Sequence, residues 1–275
     1  MAGVPKPHAI EAFFDSMNDA ESLVNYDRAL RNSRTYRMRA ELRERIGSAL
    51  RIAKGARSGL DVVESSDLFV VLKPDSTLSR EDFSAPRLMP LLRQVYVVVA
   101  AAMETYVADR TMELLKGRMN QAGAPAELCD LPVTVGVMLD NEVHYQRRAW
   151  GIRAAVEDVV RQAASPAPTQ VAKILKLAGV KDLWGEVDRI RKVEHGTSRA
   201  QLQHIVDRRN RIAHASDRVG RSRARVSVEE ARDAIRHARG IALAIERTSS
   251  VQLGLAEQVL ARIAKKEAKA AAGGS

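Results

Sequence analysis

The sequence predicts an all-α protein. Apolar residues recur at helical spacing over most of the chain, and residues 95–103 form an apolar run at the centre of one long segment. Aromatic residues make up only 4% of the chain, which argues against a β-rich core. Two capping boxes, Ser198 with Gln201 and Ser227 with Glu230, mark expected helix starts. At 275 residues the chain has room for one large domain or two small ones.

Residues 1–60 are predicted to form a basic helical arm. Apolar residues between Ile10 and Ile52 recur at helical spacing, and the polar positions between Arg28 and Arg57 carry nine Arg residues. This pattern predicts one or two amphipathic helices with a basic outer face.

Residues 61–85 are predicted to link this arm to the main domain. The segment from Asp67 to Leu72 is short and rich in β-branched residues, and the Lys-Pro-Asp-Ser sequence after it is a turn signal. We therefore expect one short strand or hairpin near residues 67–72.

Residues 86–248 are predicted to form the main helical domain. Its first helix runs from Arg87 to Lys116, with Pro90 in the first turn, and one acid, Glu104, interrupts its apolar centre. Further helices are expected over residues 138–162, 170–178 and 183–193, from Ser198 toward His214, and over residues 228–247. Residues 249–275 are predicted to be a C-terminal helix with a flexible tail.

A large arginine excess makes the chain strongly basic. Lys and Arg total 44 against 34 Asp and Glu, which gives a net charge of +10, and 33 of the 44 cations are Arg. The guanidinium group is planar, permanently charged and able to hold a phosphate through two hydrogen bonds, so a polyanionic partner is expected. A genome rich in Arg codons would produce the same excess, and composition leaves both explanations open.

Simple features exclude several classes of protein. The single cysteine, Cys129, excludes a disulfide framework and a thiolate metal cluster, so a reducing cytoplasm is expected. The N-terminus lacks a signal-peptide pattern, and the run at residues 95–103 is about half of a membrane span, so no membrane partner is expected. His144 has no second His at ligand spacing, so we interpret it as a surface residue and expect no metal site.

An Arg followed five positions later by a His is the motif that suggests chemistry. Three such pairs are present, which are Arg199 with His204, Arg209 with His214, and Arg232 with His237. With 33 Arg and six His residues, chance alone gives about one match, so the spacing does not discriminate between the pairs. Only His214 lies at an expected helix end, before a polar stretch at residues 216–220, where its ring can reach a substrate.

A regular helix separates the members of this motif. Asn210 and His214 share a face, whereas Arg209 lies about 140° from His214 and needs its long side chain or a local break to converge. Glu104 needs a partner if it is buried, because an unpaired buried charge is costly. Three interpretations of Glu104 are open. It pairs with Arg209 or Asn210 and fixes the site, it forms a structural salt bridge with another Arg, or it is exposed at the helix end.

Residues 202–214, Leu-Gln-His-Ile-Val-Asp-Arg-Arg-Asn-Arg-Ile-Ala-His, resemble the signature helix of HEPN domains, especially the branch called RiboL-PSP-HEPN. That signature is an Arg, often followed by Asn, then three residues and a His. The helix around residues 97–109, which contains Ala-Ala-Met-Glu-Thr-Tyr, also resembles the first core helix of this branch. The resemblance covers roughly residues 86–248 and does not extend to residues 1–60.

The resemblance implies an up-and-down helical bundle that pairs into a homodimer, with two copies of the motif facing each other across a cleft. Many members are endoribonucleases that need no metal, so RNA cleavage without a cofactor is expected. His214 would be the general acid or base, Arg209 would hold the phosphate as charge develops, and Asn210 would orient one of them. Attack by the ribose 2′-OH would leave a 2′,3′-cyclic phosphate and a 5′-OH.

Further basic residues are candidates for contact with the RNA, which we expect to be tRNA or mRNA. Arg208 and Arg211 flank the motif and are predicted to contact phosphates, although a solvated helix face explains them equally well. The Arg-rich face between Arg28 and Arg57 is either an RNA-contact surface or a dimer arm, and we favour RNA contact.

The expected biological role is that of a toxin or anti-phage effector in the cytoplasm, with an antitoxin or a defence-system protein as partner. HEPN toxins controlled by a nucleotidyltransferase antitoxin commonly carry Tyr two places after the His, but Ser216 stands there, so control by tyrosine modification is not expected. The alternative is a non-catalytic HEPN dimer that binds RNA or serves as a scaffold for a neighbouring enzyme. A DNA-binding regulator is disfavoured, because no short helix-turn-helix with a Gly turn is found.

Overall fold

Long helices build most of this protein. The computed structural model describes residues 8–31, 34–36, 39–64, 69–74, 76–116, 126–131, 136, 139, 148–219 and 222–253. The helices are α1 (Ala9–Arg31), α2 (Ala40–Ala49), α3 (Ala85–Lys116), α4 (Ala126–Cys129), α5 (Arg148–Ala163), α6 (Pro168–Leu177), α7 (Leu183–Arg191), α8 (Thr197–Ala215) and α9 (Val228–Gln252). The strands are β1 (Arg34–Tyr36), β2 (Asp61–Glu64), β3 (Phe69–Leu72), β4 (Arg218–Val219) and β5 (Ser222–Arg223). The predicted all-α class is confirmed.

Helix α3 is the centre of the bundle and packs against α1, α8 and α9. The Tyr96 hydroxyl donates to the carbonyl of Glu230, and the Tyr106 hydroxyl donates to that of Ala242, so α3 and α9 run in the same direction. The amide of Ala9 donates to the Glu113 carboxylate near the end of α3, which shows that α1 runs the opposite way. The core between these helices is almost entirely aliphatic, as the low aromatic content requires.

The segment predicted as an N-terminal arm is divided between two parts of the structure. Helix α1 belongs to the main core, because Phe13, Met17 and Val24 are buried against the same helices as the rest of the bundle. The interpretation of residues 1–60 as one arm outside the main domain therefore does not describe α1. Residues 34–36, 39–64 and 69–72 instead form a small unit of their own, whose apolar cluster is centred on Leu60 and Val62.

This small unit contains an antiparallel sheet in the order β1-β2-β3. Val62 pairs with Val71 and Asp61 pairs with Leu72, so β2 and β3 form the hairpin that the β-branched segment predicted. Strand β1 was not predicted, because the Arg residues around it continue the basic pattern of the preceding helix. The edge position of a three-residue strand needs little apolar sequence of its own.

Helix starts agree with the sequence at one capping box and differ at the other. The amide of Glu230 donates to the Ser227 hydroxyl (3.0 Å), and the amide of Ser227 donates to the Glu230 carboxylate (2.7 Å), which confirms the box that begins α9. The box predicted at Ser198 is wrong, because α8 already begins at Thr197 and Gly196 is the N-cap. Helix α3 also begins at Ala85, earlier than predicted, so Pro90 lies inside it.

Some predicted segments lie partly or wholly outside the described residues. The helix expected over residues 138–162 is described as α5 from Arg148 onward, and the predicted tail helix lies beyond the described range. His144 is also outside it. Helix α3 is long and apolar enough to cross a membrane by length and composition alone, but 61% of its most apolar window is buried within the bundle. Such burial is typical of the core helix of a helical protein.

Candidate functional site

The motif residues lie in the C-terminal half of α8, which is a continuous helix from Thr197 to Ala215. Its start is held by the Asp188 carboxylate of α7, which accepts hydrogen bonds from the amides of Gly196 (2.7 Å) and Ser198 (2.9 Å). These bonds satisfy amides that have no partner within the helix. The helix ends where Ser216 enters the left-handed backbone region with a φ of 49°.

Arg209, Asn210 and Glu104 are brought together at the seam between α3 and α8. The guanidinium Nη2 of Arg209 lies 3.5 Å from the Glu104 Oε2, and its Nη1 donates to the Asn210 Oδ1 at 3.1 Å. The Arg209 and Glu104 side chains are 29% and 38% exposed, so solvent reaches both groups. Of the three interpretations of Glu104 made from the sequence, the pair with Arg209 is the one that the structure contains.

His214 is exposed in the last turn of α8, on the face that also carries Asn210. Because the helix has no break between residues 209 and 214, Arg209 and His214 point about 140° apart. Among the described residues, no hydrogen bond or ion pair joins His214 to Arg209 or Glu104. The structure therefore assembles the Arg-Asn-Glu part of the predicted site within one chain and leaves the histidine about 140° away around α8.

Arg208 does not occupy the position that an RNA-contact residue requires. The residue is 9% exposed, and its guanidinium donates to the Asp217 carboxylate (2.9 Å) and to the carbonyl of Arg225 (2.8 Å). It also lies over the Tyr96 ring, with 5.9 Å between the guanidinium carbon and the ring centroid. We therefore correct its predicted role from RNA contact to support of the fold. Arg211, by contrast, is exposed, so its side chain is accessible to a phosphate group from solution.

Arg93 and Asp217 are residues of this region that the sequence did not identify. Asp217 is 1% exposed and accepts hydrogen bonds from Arg208 and from the Arg93 Nε at 3.2 Å. Arg93 also donates to the carbonyl of Ala224 at 2.9 Å. This buried Arg-Asp-Arg cluster ties the loop after His214 to the middle of the bundle. Arg93 is a charged residue in the apolar helix α3. The same reasoning that identified Glu104 from the sequence could therefore have identified Arg93.

Tyr96 lies beneath this cluster as a neutral side chain. Burial, together with the nearby charge of Glu230, raises the pKa of Tyr96 to about 12. Its ring supplies a negative face to Arg208 through a cation–π contact. At neutral pH the side chain is therefore uncharged, and its hydroxyl donates to the carbonyl of Glu230.

The described part of the chain offers no group of three or more His, Cys, Asp or Glu side chains that could hold a metal ion. The side chains that this region presents are the imidazole of His214, the guanidinium of Arg209, the amide of Asn210 and the carboxylate of Glu104. No significant match to a known protein family, to a characterised protein or to a solved structure is found for this chain.

Proposed function

We propose that this protein is a HEPN-type endoribonuclease that cleaves RNA without a metal. The observation that carries the proposal is the contact of Arg209 with Glu104 and Asn210 at an open seam, one helical turn before the exposed His214. The net charge of +10 favours a polyanionic substrate. The proposal is supported because the Arg of the sequence motif, Arg209, contacts Glu104, which lies more than a hundred residues earlier on another helix.

Each group has a distinct part in the proposed reaction. His214 removes the proton of the ribose 2′-OH, whose oxygen attacks the adjacent phosphorus atom while the bond to the 5′-oxygen breaks. The departing 5′-oxygen takes up a proton from water, His214 returns its proton to the resulting hydroxide, and the products are a 2′,3′-cyclic phosphate and a 5′-OH. Arg209 holds the non-bridging oxygens as their negative charge grows, and Glu104 with Asn210 fixes the guanidinium in place.

The divergence of Arg209 and His214 favours a site shared by two protomers. Two side chains about 140° apart on one helix do not converge on one phosphate without a change in the helix. In a twofold dimer, Arg209 of one protomer can instead face His214 of the partner subunit. Exposed positions on α3 beside Glu104, such as Ala101 and Thr105, offer small side chains over which a second copy can pack.

A non-catalytic RNA-binding dimer is the second candidate, and one observation favours it. The charge of Arg209 is already balanced by Glu104 at 3.5 Å, so the guanidinium is partly satisfied before any phosphate arrives. If His214 stays on its separate face, the region would bind an RNA backbone and leave the phosphodiester intact. Binding that weakens steeply as salt rises, without products, would identify this function.

Cleavage by matched variants tests the catalytic proposal. The purified full-length protein is incubated with tRNA and with mRNA in EDTA, beside Arg209→Ala and His214→Ala. We expect a loss of at least about a hundredfold for His214→Ala, in line with the usual contribution of a general acid or base. His195→Ala and Arg153→Ala, which alter an exposed His and an exposed Arg elsewhere, are the controls. Equal cleavage by all variants, or none by any, contradicts the proposal.

Mixing two inactive variants tests whether the site is shared. In a mixture of Arg209→Ala and His214→Ala chains, about half of the dimers are mixed, and each mixed dimer has one intact shared site. Activity should then recover to about a quarter of the unmutated level. If the site is confined to one protomer, no activity should return in the mixture. That result would contradict the shared site, and the single variants would still show whether the protein cleaves RNA.

The proposed toxin or anti-phage role makes a separate prediction in cells. Induced expression of the chain should arrest growth of a bacterial host, and His214→Ala should relieve the arrest at equal protein level. Stable growth with abundant unmutated protein would argue against the toxin role.

A further inference from the structure

The histidines of the other two Arg–His pairs, His204 and His237, lie near each other between α8 and α9. His204 is exposed on α8 and His237 is half-buried on α9, and the charge of His204 is one of the smaller causes that lower the pKa of His237. The two helices pack directly against each other. Neither histidine belongs to the site at Arg209, because His204 lies about 140° from Arg209 around α8.

Arg191, the last residue of α7, reaches into the same place. Its Nη1 donates to the Ser198 hydroxyl at 2.6 Å, near the start of α8. Its guanidinium lies against α9 at Gly240, where a Cβ atom would stand 3.1 Å from the Arg191 Nε. Gly240 follows His237 by three residues, so the glycine leaves room for the guanidinium one helical turn from that imidazole.

The charge of Arg191 is only partly compensated within the described structure. Its one hydrogen-bond acceptor among the described residues is the neutral Ser198 hydroxyl. Asp188 on the same helix is the nearest source of negative charge, but its carboxylate oxygens accept the amides of Gly196 and Ser198. Burial lowers the pKa of Arg191, and Asp188 offsets this effect only in part. A half-buried cation of this kind is stabilised when an external anion pairs with it.

The surroundings of His237 favour an anion as well. The charged or titratable groups that face it are Arg191 on α7, His204 on α8, and Asp233 and Arg236 on α9. Burial, followed by the positive charge of Arg191, lowers the pKa of His237. Two acids lie near the imidazoles: Asp233 forms an ion pair with Arg236, and Glu230, which interacts with His204, accepts the amide of Ser227. An added negative charge would relieve the repulsion between the cations and allow the imidazole to be protonated.

We propose that Arg191, His204 and His237 form a phosphate-binding site at the junction of α7, α8 and α9. The guanidinium and the two imidazoles supply hydrogen-bond donors from three helices. Gly240 has no side chain and so leaves space for the Arg191 guanidinium against α9. The ligand is a phosphate group, carried either by an RNA backbone or by a nucleotide. Binding takes up a proton at His237 and therefore weakens as the pH rises above the range in which that group titrates in the complex.

An NMR titration of the full-length protein with inorganic phosphate tests this site. The ring signals of His204 and His237 should move in a saturable manner, and the pKa of His237 should rise when phosphate is present. Arg191→Lys should weaken binding about tenfold, because an ammonium lacks the planar pair of donors. Signals that do not respond to phosphate, or that respond equally in the unmutated protein and in Arg191→Lys, would overturn the proposal.

Gly240→Ala is a second variant that tests the same geometry without removing a charge. Alanine suits a helix interior, so the variant should fold, while its methyl group crowds the Arg191 Nε at 3.1 Å and the guanidinium must shift by a few tenths of an ångström. Phosphate binding should weaken in this variant, and unchanged binding would contradict the role of Arg191. His195→Gln, which alters an exposed histidine outside the cluster, is the control and should leave binding unchanged.

Two further ligands distinguish the sources of the phosphate. A nucleoside monophosphate and a short 2′-O-methyl RNA, which cannot be cleaved by 2′-OH attack, are titrated at equal phosphate concentration. Tighter binding of the RNA identifies the backbone as the ligand, and tighter binding of the monophosphate identifies a nucleotide. Because binding is measured without turnover, its outcome is independent of the proposed ribonuclease activity.

Discussion

Arg208 and Arg209 are neighbours in sequence, yet their guanidinium groups lie in opposite environments. Arg208 is buried against Asp217, whereas Arg209 is partly exposed and pairs with Glu104. Successive residues of a helix point about 100° apart, so a buried and an exposed position can be adjacent. One arginine therefore holds the fold together, and the next is available for a ligand.

Asp217→Asn should destabilise the protein strongly. The substitution removes the negative charge between two buried guanidiniums, and breaking a buried ion pair in this way costs about 3–5 kcal/mol of the free energy of unfolding. Urea denaturation at neutral pH measures the loss. Asp207→Asn, which alters an exposed acid on α8, should change stability by less than about 0.5 kcal/mol. Similar small losses in both variants would show that the cluster does not stabilise the fold.

Glu104→Gln should separate stability from function. The Glu104–Arg209 pair is partly exposed, so its loss should cost less than about 1 kcal/mol in thermal or urea denaturation. RNA cleavage should nevertheless fall, because the guanidinium loses the group that fixes its orientation. If the protein only binds RNA, the same variant should instead bind more tightly, since it frees the charge of Arg209.

Asp188 should make the stability of α8 depend on pH. Burial raises the pKa of this carboxyl, but its hydrogen bonds from Ser198 and Gly196 outweigh that effect and hold the pKa below its ordinary value of 3.8. A depressed pKa in the folded state means that the stabilisation is fully present above the unfolded value and is lost as the pH falls below it.

Asp188→Asn therefore should be less stable than the unmutated protein at pH 7, by about 1 kcal/mol. This difference should shrink as the pH falls below about 4, because the carboxyl of the unfolded unmutated chain then takes up a proton before the folded carboxyl does. Urea midpoints measured from pH 7 to pH 3 provide the comparison. Asp158→Asn, an exposed acid on α5, serves as the control. A difference independent of pH would show that the charge of Asp188 is unimportant.

Ser216→Gly should stabilise the protein by up to about 1 kcal/mol. Ser216 has a φ of 49°, a backbone conformation that glycine adopts without the steric penalty of a side chain. Ala215→Gly, one residue earlier and still helical, should have the opposite effect because glycine is a poor helix former. Thermal unfolding of both variants checks the prediction, and a change of the same sign in both would contradict it.

Patterns within a few residues predicted most of the helices. The Ser227–Glu230 capping box and the β-branched hairpin strand both depend on neighbours in sequence, and both are present. The capping box at Ser198 failed because Asp188, a residue of another helix, accepts the amide of Ser198 that the Gln201 side chain would have satisfied. Local chemistry cannot anticipate a partner that only packing brings close.

In the candidate site, too, some features follow from local sequence and others from the packing of separate helices. Composition and helical periodicity are properties of the chain alone, so they predict the helical class, the basic character and the motif of Arg209, Asn210 and His214. The contact of Arg209 with Glu104, the burial of Arg208 on Asp217 and the position of Arg191 against Ser198 and Gly240 depend on how the helices pack. These contacts join separate helices, and the packing of the aliphatic core determines which side chains face one another.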